Sequence, residues 1–179
     1  MNEMDRAGAD FFASLDSIRR KLGAKPVPLQ IPLGQEECFE GVIDLVTMQA
    51  IAYKTDALGS EFETHSIPEE YLEQATEWRE KMVELVVESD DALLEKYVAG
   101  EDITSEELVA AIRLGTCRLD FTPCLCGSAF KNKGVQPLLD AVIRYLPSPL
   151  DRKITASRFD DAEQSITLTA DPSDQFVGM

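Results

Sequence analysis

The stretch FTPCLCGSAFKNKGVQPLLDAVIRYLP (residues 121–147) decides the fold. Its first part is a short apolar run bounded by proline and glycine, which fits a buried strand that empties into a loop. Its second part places Val135, Leu138, Leu139, Val142 and Leu146 on one helical face and stops at Pro147. Strand, loop and helix in that order are the unit of an α/β sheet. In such sheets ligands bind beyond the carboxyl ends of the strands, so the Gly-Ser-Ala-Phe loop falls where a site would be.

A second loop of the same kind opens the chain. Asn2-Glu3-Met4-Asp5 sits immediately before residues 9–22, whose Phe11, Phe12, Leu15, Ile18 and Leu22 form a helical stripe with Gly23 as C-cap. Two strand-end loops can share one crevice however long the insertion between them. An Asp carboxylate there can accept both N–H groups on one edge of guanine, while backbone amides of a tight Ser-Ala loop donate to the base carbonyl. Adenine presents the opposite polarity. Taken alone, Asn2 and Asp5 are equally at home as turn or helix-capping residues.

Between these loops the chain changes character. KPVPLQIPLG (residues 25–34) carries three prolines and reads as an extended edge segment, and residues 38–53 read as strand, turn, strand. From Ser66, a candidate cap, a long helix follows with Leu72, Ala75, Trp78, Met82 and Leu85 as its apolar side. Glu73, Glu77, Glu80, Glu84 and Glu88 recur at spacings of four, three, four and four, so the carboxylates share one outward stripe. Such a stripe is a solvated face or a contact surface for a basic partner. Residues 90–100 and 104–115 suggest two more helices, the latter opened by Thr104 and Glu107 at capping-box spacing. After Pro147 the pattern loosens, and only residues 164–171 alternate like a strand.

Composition narrows the function. Of 179 residues 33 are acidic and 17 basic, a net charge of -16, and that field repels phosphate backbones. Direct nucleic-acid binding is not expected. No stretch approaches the roughly 20 apolar residues of a membrane span, and a cytoplasmic chain is the expectation. The four cysteines are too sparse for a disulfide scaffold. Cys124 and Cys126 fall on one strand face, but with one His and no second Cys pair nearby they read as small buried residues rather than metal ligands. Trp78 reads as core, and His65 as an exposed loop residue without a role.

Residues 2–12, 26–34, 39–53 and 126–149 resemble, in order and spacing, the bacterial elongation factor G family of translational GTPases. The resemblance covers residues 1 to about 151 and implies an α/β fold: the C-terminal part of a GTPase-type parallel sheet with an inserted α+β subdomain. It implies a GTPase segment with a guanine-reading loop over 1–23 and an insertion over 24–120. Residues 121–147 would be the strand, Ser-Ala loop and last helix, and 148–179 a linker and the start of a β-barrel domain. Guanine-binding roles then fall on Asn2, Asp5, Ser128 and Ala129, with Lys131 packing by the base. The glutamate stripe falls on the insertion helix expected to meet the C-terminal domain of the ribosomal stalk protein.

The same resemblance implies a parent protein that uses GTP or GDP with magnesium on the ribosome and drives translocation. Two departures bear on this chain. Glu3 stands where the family has Lys, exchanging an alkyl stem and a positive charge along the nucleotide for a carboxylate. The family's phosphate-binding Gly-rich loop, switch segments and catalytic His would all precede Asn2. The 179 residues are therefore expected to bind no nucleotide tightly and to hydrolyse no GTP by themselves, because phosphoryl transfer needs those charges. Residues 166–179 resemble the first strand of the following barrel domain, with Ser173, Asp174 and Gln175 read as additions.

Overall fold

The first helix, α1 (Phe11–Leu22), starts where Asp10, in extended backbone, accepts the Ala13 amide at 2.9 Å, and it ends where Gly23 turns left-handed at φ 63. Phe11 and Leu15 are buried, whereas Leu22, expected on the apolar stripe, is 74% exposed on the final turn. The structure, a computed structural model, describes residues 1–54, 59, 61–151, 154–157, 165–168 and 173. They fall into two units, Met1–Tyr145 and Leu146–Met179.

The proline-rich segment does not form one edge strand. It divides at Leu29 between two sheets. β1 (Pro26–Pro28) runs parallel to β6 (Thr122–Cys124), pairing Val27 with Pro123, while β2 (Gln30–Leu33) is an edge of a four-stranded antiparallel sheet with β3 (Gly41–Asp44), β4 (Gln49–Tyr53) and β5 (Phe62–His65). Leu29 joins them, donating its amide to the Cys124 carbonyl at 2.9 Å and accepting that of Leu45 at 3.0 Å. Pro32 is tolerated because β2 is an edge. The turn before β4 is fixed by Asp44, whose Oδ1 accepts the amides of Val46 (2.8 Å) and Thr47 (2.9 Å).

Three helices follow in series: α2 (Glu69–Val87), α3 (Asp91–Val98) and α4 (Ser105–Arg118). Ser66 caps nothing. Pro68 is the N-cap and makes no side-chain cap bond, because its hydrocarbon ring offers no acceptor. Thr104 and Glu107 do form the capping box of α4. α2 buries Ala75, Met82, Val86 and Val87 through its middle and last turns. Leu72, in the first turn, is 48% exposed. Trp78 is half-buried, stacked on Phe12 at 4.9 Å, so α2 also rests on α1.

The parallel pair continues into α5 (Val135–Tyr145), whose buried residues are Ala141 and Tyr145. The expected core face is not covered: Leu138, Leu139, Val142 and Leu146 are 45–58% exposed. In the second unit β7 (Ile154–Ser157) pairs antiparallel with β8 (Ser165–Leu168). β8 falls within the strand read from residues 164–171, and the proposed additions Asp174 and Gln175 lie outside the described residues.

Candidate functional site

Three backbone hydrogen bonds build the site from the two ends of the unit. The terminal ammonium of Met1 donates to the Leu125 carbonyl at 2.6 Å, the Gly127 amide to the Met1 carbonyl at 3.1 Å, and the Met4 amide to the Gly127 carbonyl at 3.2 Å. These bonds leave from the side of the strand opposite to β1, because backbone groups alternate along a strand. Residues 1–4 thus flank residues 125–127 as a parallel neighbour. Met4 is buried as the anchor.

That pairing brings together side chains more than a hundred residues apart. Asn2 Oδ1 accepts the Ala129 amide at 2.9 Å. Asp5 Oδ2 meets Lys131 Nζ at 3.1 Å, with the Asp5 side chain 14% exposed. Ser128 is buried between them, and its Oγ makes no hydrogen bond of normal geometry. It is nonetheless close enough that, against the opposing effect of desolvation and with help from Lys131, it holds the Asp5 carboxyl below its ordinary pKa. All five residues expected at a base site are therefore neighbours. Two of the groups expected to face a base are engaged within the chain: the Ala129 amide by Asn2, and Asp5 Oδ2 by Lys131.

The loop itself is tightly closed. Ser128 and Lys133 exchange amide-to-carbonyl bonds of 2.8 and 3.0 Å around a 3-10 turn at Ala129–Lys131, and Asn132 is left-handed at φ 55. Gly134, at φ 83, is required: a Cβ there would lie 2.8 Å from the Cys126 carbonyl oxygen. A hollow of about 160 Å³ opens beside the Asn2–Ala129 bond, lined by Gly127, Lys133, Val135 and Leu138 among others. A larger one, about 610 Å³, lies elsewhere between Lys25, Asp90, Arg118 and Phe121, and of the expected site residues it touches only Glu88. Glu3, left-handed at φ 61, turns outward and pairs with Arg6 at 3.3 Å.

A family model described as the elongation factor Tu GTP binding domain matches residues 1–148. The chain belongs to the elongation factor Tu GTP-binding domain family. Elongation factor G of Neorickettsia sennetsu is 51% identical over 179 residues, which are 100% of this chain and 26% of that protein. A crystal structure of a Thermus thermophilus protein superposes with a TM-score of 0.71 at 32% identity, covering 83% of this chain and 22% of that one. The chain thus spans about a quarter of the length of these relatives.

In this member of the elongation factor Tu GTP-binding domain family all five stripe glutamates are exposed, four on α2 and Glu88 as its C-cap. Two are partly neutralised, Glu77 by Lys81 at 2.6 Å and Glu88 by Lys25 at 3.7 Å. Glu73, Glu80 and Glu84 have no ion pair among the described residues. Cys124, the last residue of β6, and Cys126, which lies beyond the strand rather than on its face, are both buried. Burial raises the Cys124 thiol and pushes that of Cys126 up to about 12, which favours the protonated thiol at both.

One site residue escaped the sequence reading. Lys133 Nζ reaches out of the loop to donate to the Phe39 carbonyl at 2.6 Å. Nothing in the spacing of Lys131 and Lys133 separates an ammonium that meets a carboxylate from one that meets a backbone carbonyl of the insertion.

Proposed function

We propose that this chain supplies the guanine-reading loops and the inserted subdomain of a translational GTPase of the elongation factor G type, acting on the ribosome in translocation during protein synthesis in the cytoplasm. The observation that carries this reading is the convergence of Asn2, Asp5, Ser128, Ala129 and Lys131 at the carboxyl end of β6. Asp5 offers its carboxylate, whose Oδ2 also meets Lys131, to the N–H edge of guanine, and Asn2 holds the Ser-Ala loop at the depth of that edge. The donor set fits the base of GTP or GDP. The 179 residues contain no phosphate-binding Gly-rich loop, so GTP with magnesium belongs to the whole protein. This chain alone binds the base weakly and turns over no GTP. A phosphate-release assay checks the second half: turnover above a buffer blank contradicts it.

Asp5→Asn tests the first half. An amide replaces one acceptor by a donor, which suits xanthine, with a carbonyl where guanine has an amino group. The preference for guanosine over xanthosine should therefore invert. An unchanged preference removes Asp5 from base recognition.

The stripe supports a second role of the same chain, docking of the ribosomal stalk protein's C-terminal domain through Glu73, Glu77, Glu80, Glu84 and Glu88 without contact to nucleic acid. The three carboxylates without an ion pair among the described residues, those of Glu73, Glu80 and Glu84, are the support. Titration with that domain should shift α2 resonances at low salt and fade as screening shortens to about 10 Å near 0.1 M. Shifts that persist unchanged at higher salt contradict docking through the carboxylates.

A further inference from the structure

We propose that Lys133 is a positioning residue through which the inserted sheet holds the guanine-reading loop in shape; its meaning for nucleotide rests on the base-site reading above. Lys133 is the closing residue of the loop, sharing two backbone bonds with Ser128. Its side chain leaves the loop for the carbonyl of Phe39, a residue 1% exposed in the connection from β2 to β3 of the inserted sheet. Among the described residues the ammonium has no carboxylate within ion-pair distance. Desolvation lowers its pKa, Lys131 repels it, and Glu40 and Asp5 are near enough only to offset this in part. A surface lysine serving solubility would not sit where its charge is disfavoured; one bond to a fixed carbonyl is what holds it there.

A second contact grips the same loop from between β4 and β5 of the insertion. Gly59, at φ 75, lies so close that a Cβ would stand 2.4 Å from the Lys131 carbonyl oxygen and 2.8 Å from Asn132 Cβ. Its own carbonyl accepts from Gln136 Nε2 at 3.5 Å, just past the loop. Phe39 and Gly59 both belong to the insertion, and Lys131, Asn132 and Lys133 belong to the loop that carries Ser128 and Ala129. The loop is thus held between two points of the inserted subdomain. Any coupling of this kind is reciprocal: what loosens the insertion loosens the base loop, and what orders the base loop steadies the insertion.

The test is native-state amide exchange on the intact chain without nucleotide, so that failure of guanine binding and failure of this inference remain separate results. Lys133→Met keeps the stem and removes the ammonium. Amides of Ala129, Lys131, Asn132 and Lys133 should exchange about tenfold faster or more, as expected for losing a bond to a charged donor. Amides of Ile43 and Ile51 in the inserted sheet should be unchanged. Lys133→Arg, which keeps a donor, should restore most of the protection, a recovery that loss of packing alone would not give. Gly59→Ala, acting from the other grip, should disturb the same amides. Loop exchange unchanged in Lys133→Met, or no rescue by Arg, overturns the inference. So does a uniform rise across the chain.

Discussion

Helix α2 of the inserted subdomain and helix α5 both carry amphipathic patterns, the sharper one on α5, and meet opposite fates. On α2 the pattern is used within the chain: Ala75, Met82 and Val86 are 0% exposed against the rest of the insertion. On α5 Leu139 and Ile143 are 58% and 77% exposed, and only Ala141 and Tyr145 are buried. Periodicity says which side chains share a face; whether another element covers that face is a matter of tertiary packing. The insertion is a region whose stability is internal to this unit. The two candidate base loops, by contrast, are joined by few bonds: three backbone bonds along residues 1–4, the Asn2–Ala129 bond and the Asp5–Lys131 ion pair, with the second loop closed on itself by Ser128 and Lys133.

The largest expected effect separates these regions directly. Met82→Ala should lower the unfolding free energy by about 2–5 kcal/mol in a urea titration, since it removes a fully buried side chain. A loss below about 1 kcal/mol would mean that the inserted core is looser than its burial implies. Next comes Thr104→Ala, which breaks the capping box of α4 and should cost about 0.5–2 kcal/mol by the same titration. Acid sharpens the comparison on the base-reading side. Asp5 has a depressed pKa when folded, so its stabilisation is complete above the unfolded value of about 3.9 and is lost as pH falls through the lower folded value. Asp5→Asn should flatten that part of the stability profile between about pH 5 and pH 2, and an unaltered slope would deny the carboxylate its role. The smallest effect is expected for Ile143→Gln on α5, within about 0.5 kcal/mol of the parent chain, because that side chain is already in water.

Much of this was legible in the residues. The cap at Gly23, the capping box of Thr104, the strand–turn–strand over 38–53 and the position of the Ser-Ala loop all follow from local chemistry that tertiary structure leaves intact. What local chemistry does not specify was misread. KPVPLQIPLG looked like one edge because prolines mark edges, yet the choice of two sheets is made by Leu29 bonding to Cys124 and Leu45, both remote in sequence. β5 gave no signal, since all four of its residues are exposed, and β7 alternates over only four residues, too few to stand out. That the two loops meet was readable, but the mutual engagement of their side chains was not. Asn2 bound to the Ala129 amide, Lys131 on Asp5 and Lys133 on Phe39 depend on contacts that exist only after folding.

The most direct test of the base-reading account is an NMR titration of the isotopically labelled chain with guanosine and, in parallel, adenosine. The account predicts shifts confined to the Asn2 side-chain amide, Asp5 and residues 128–131 with guanosine and none of comparable size with adenosine. Equal responses to the two nucleosides, or no response to saturating guanosine in a well-dispersed spectrum, would contradict it.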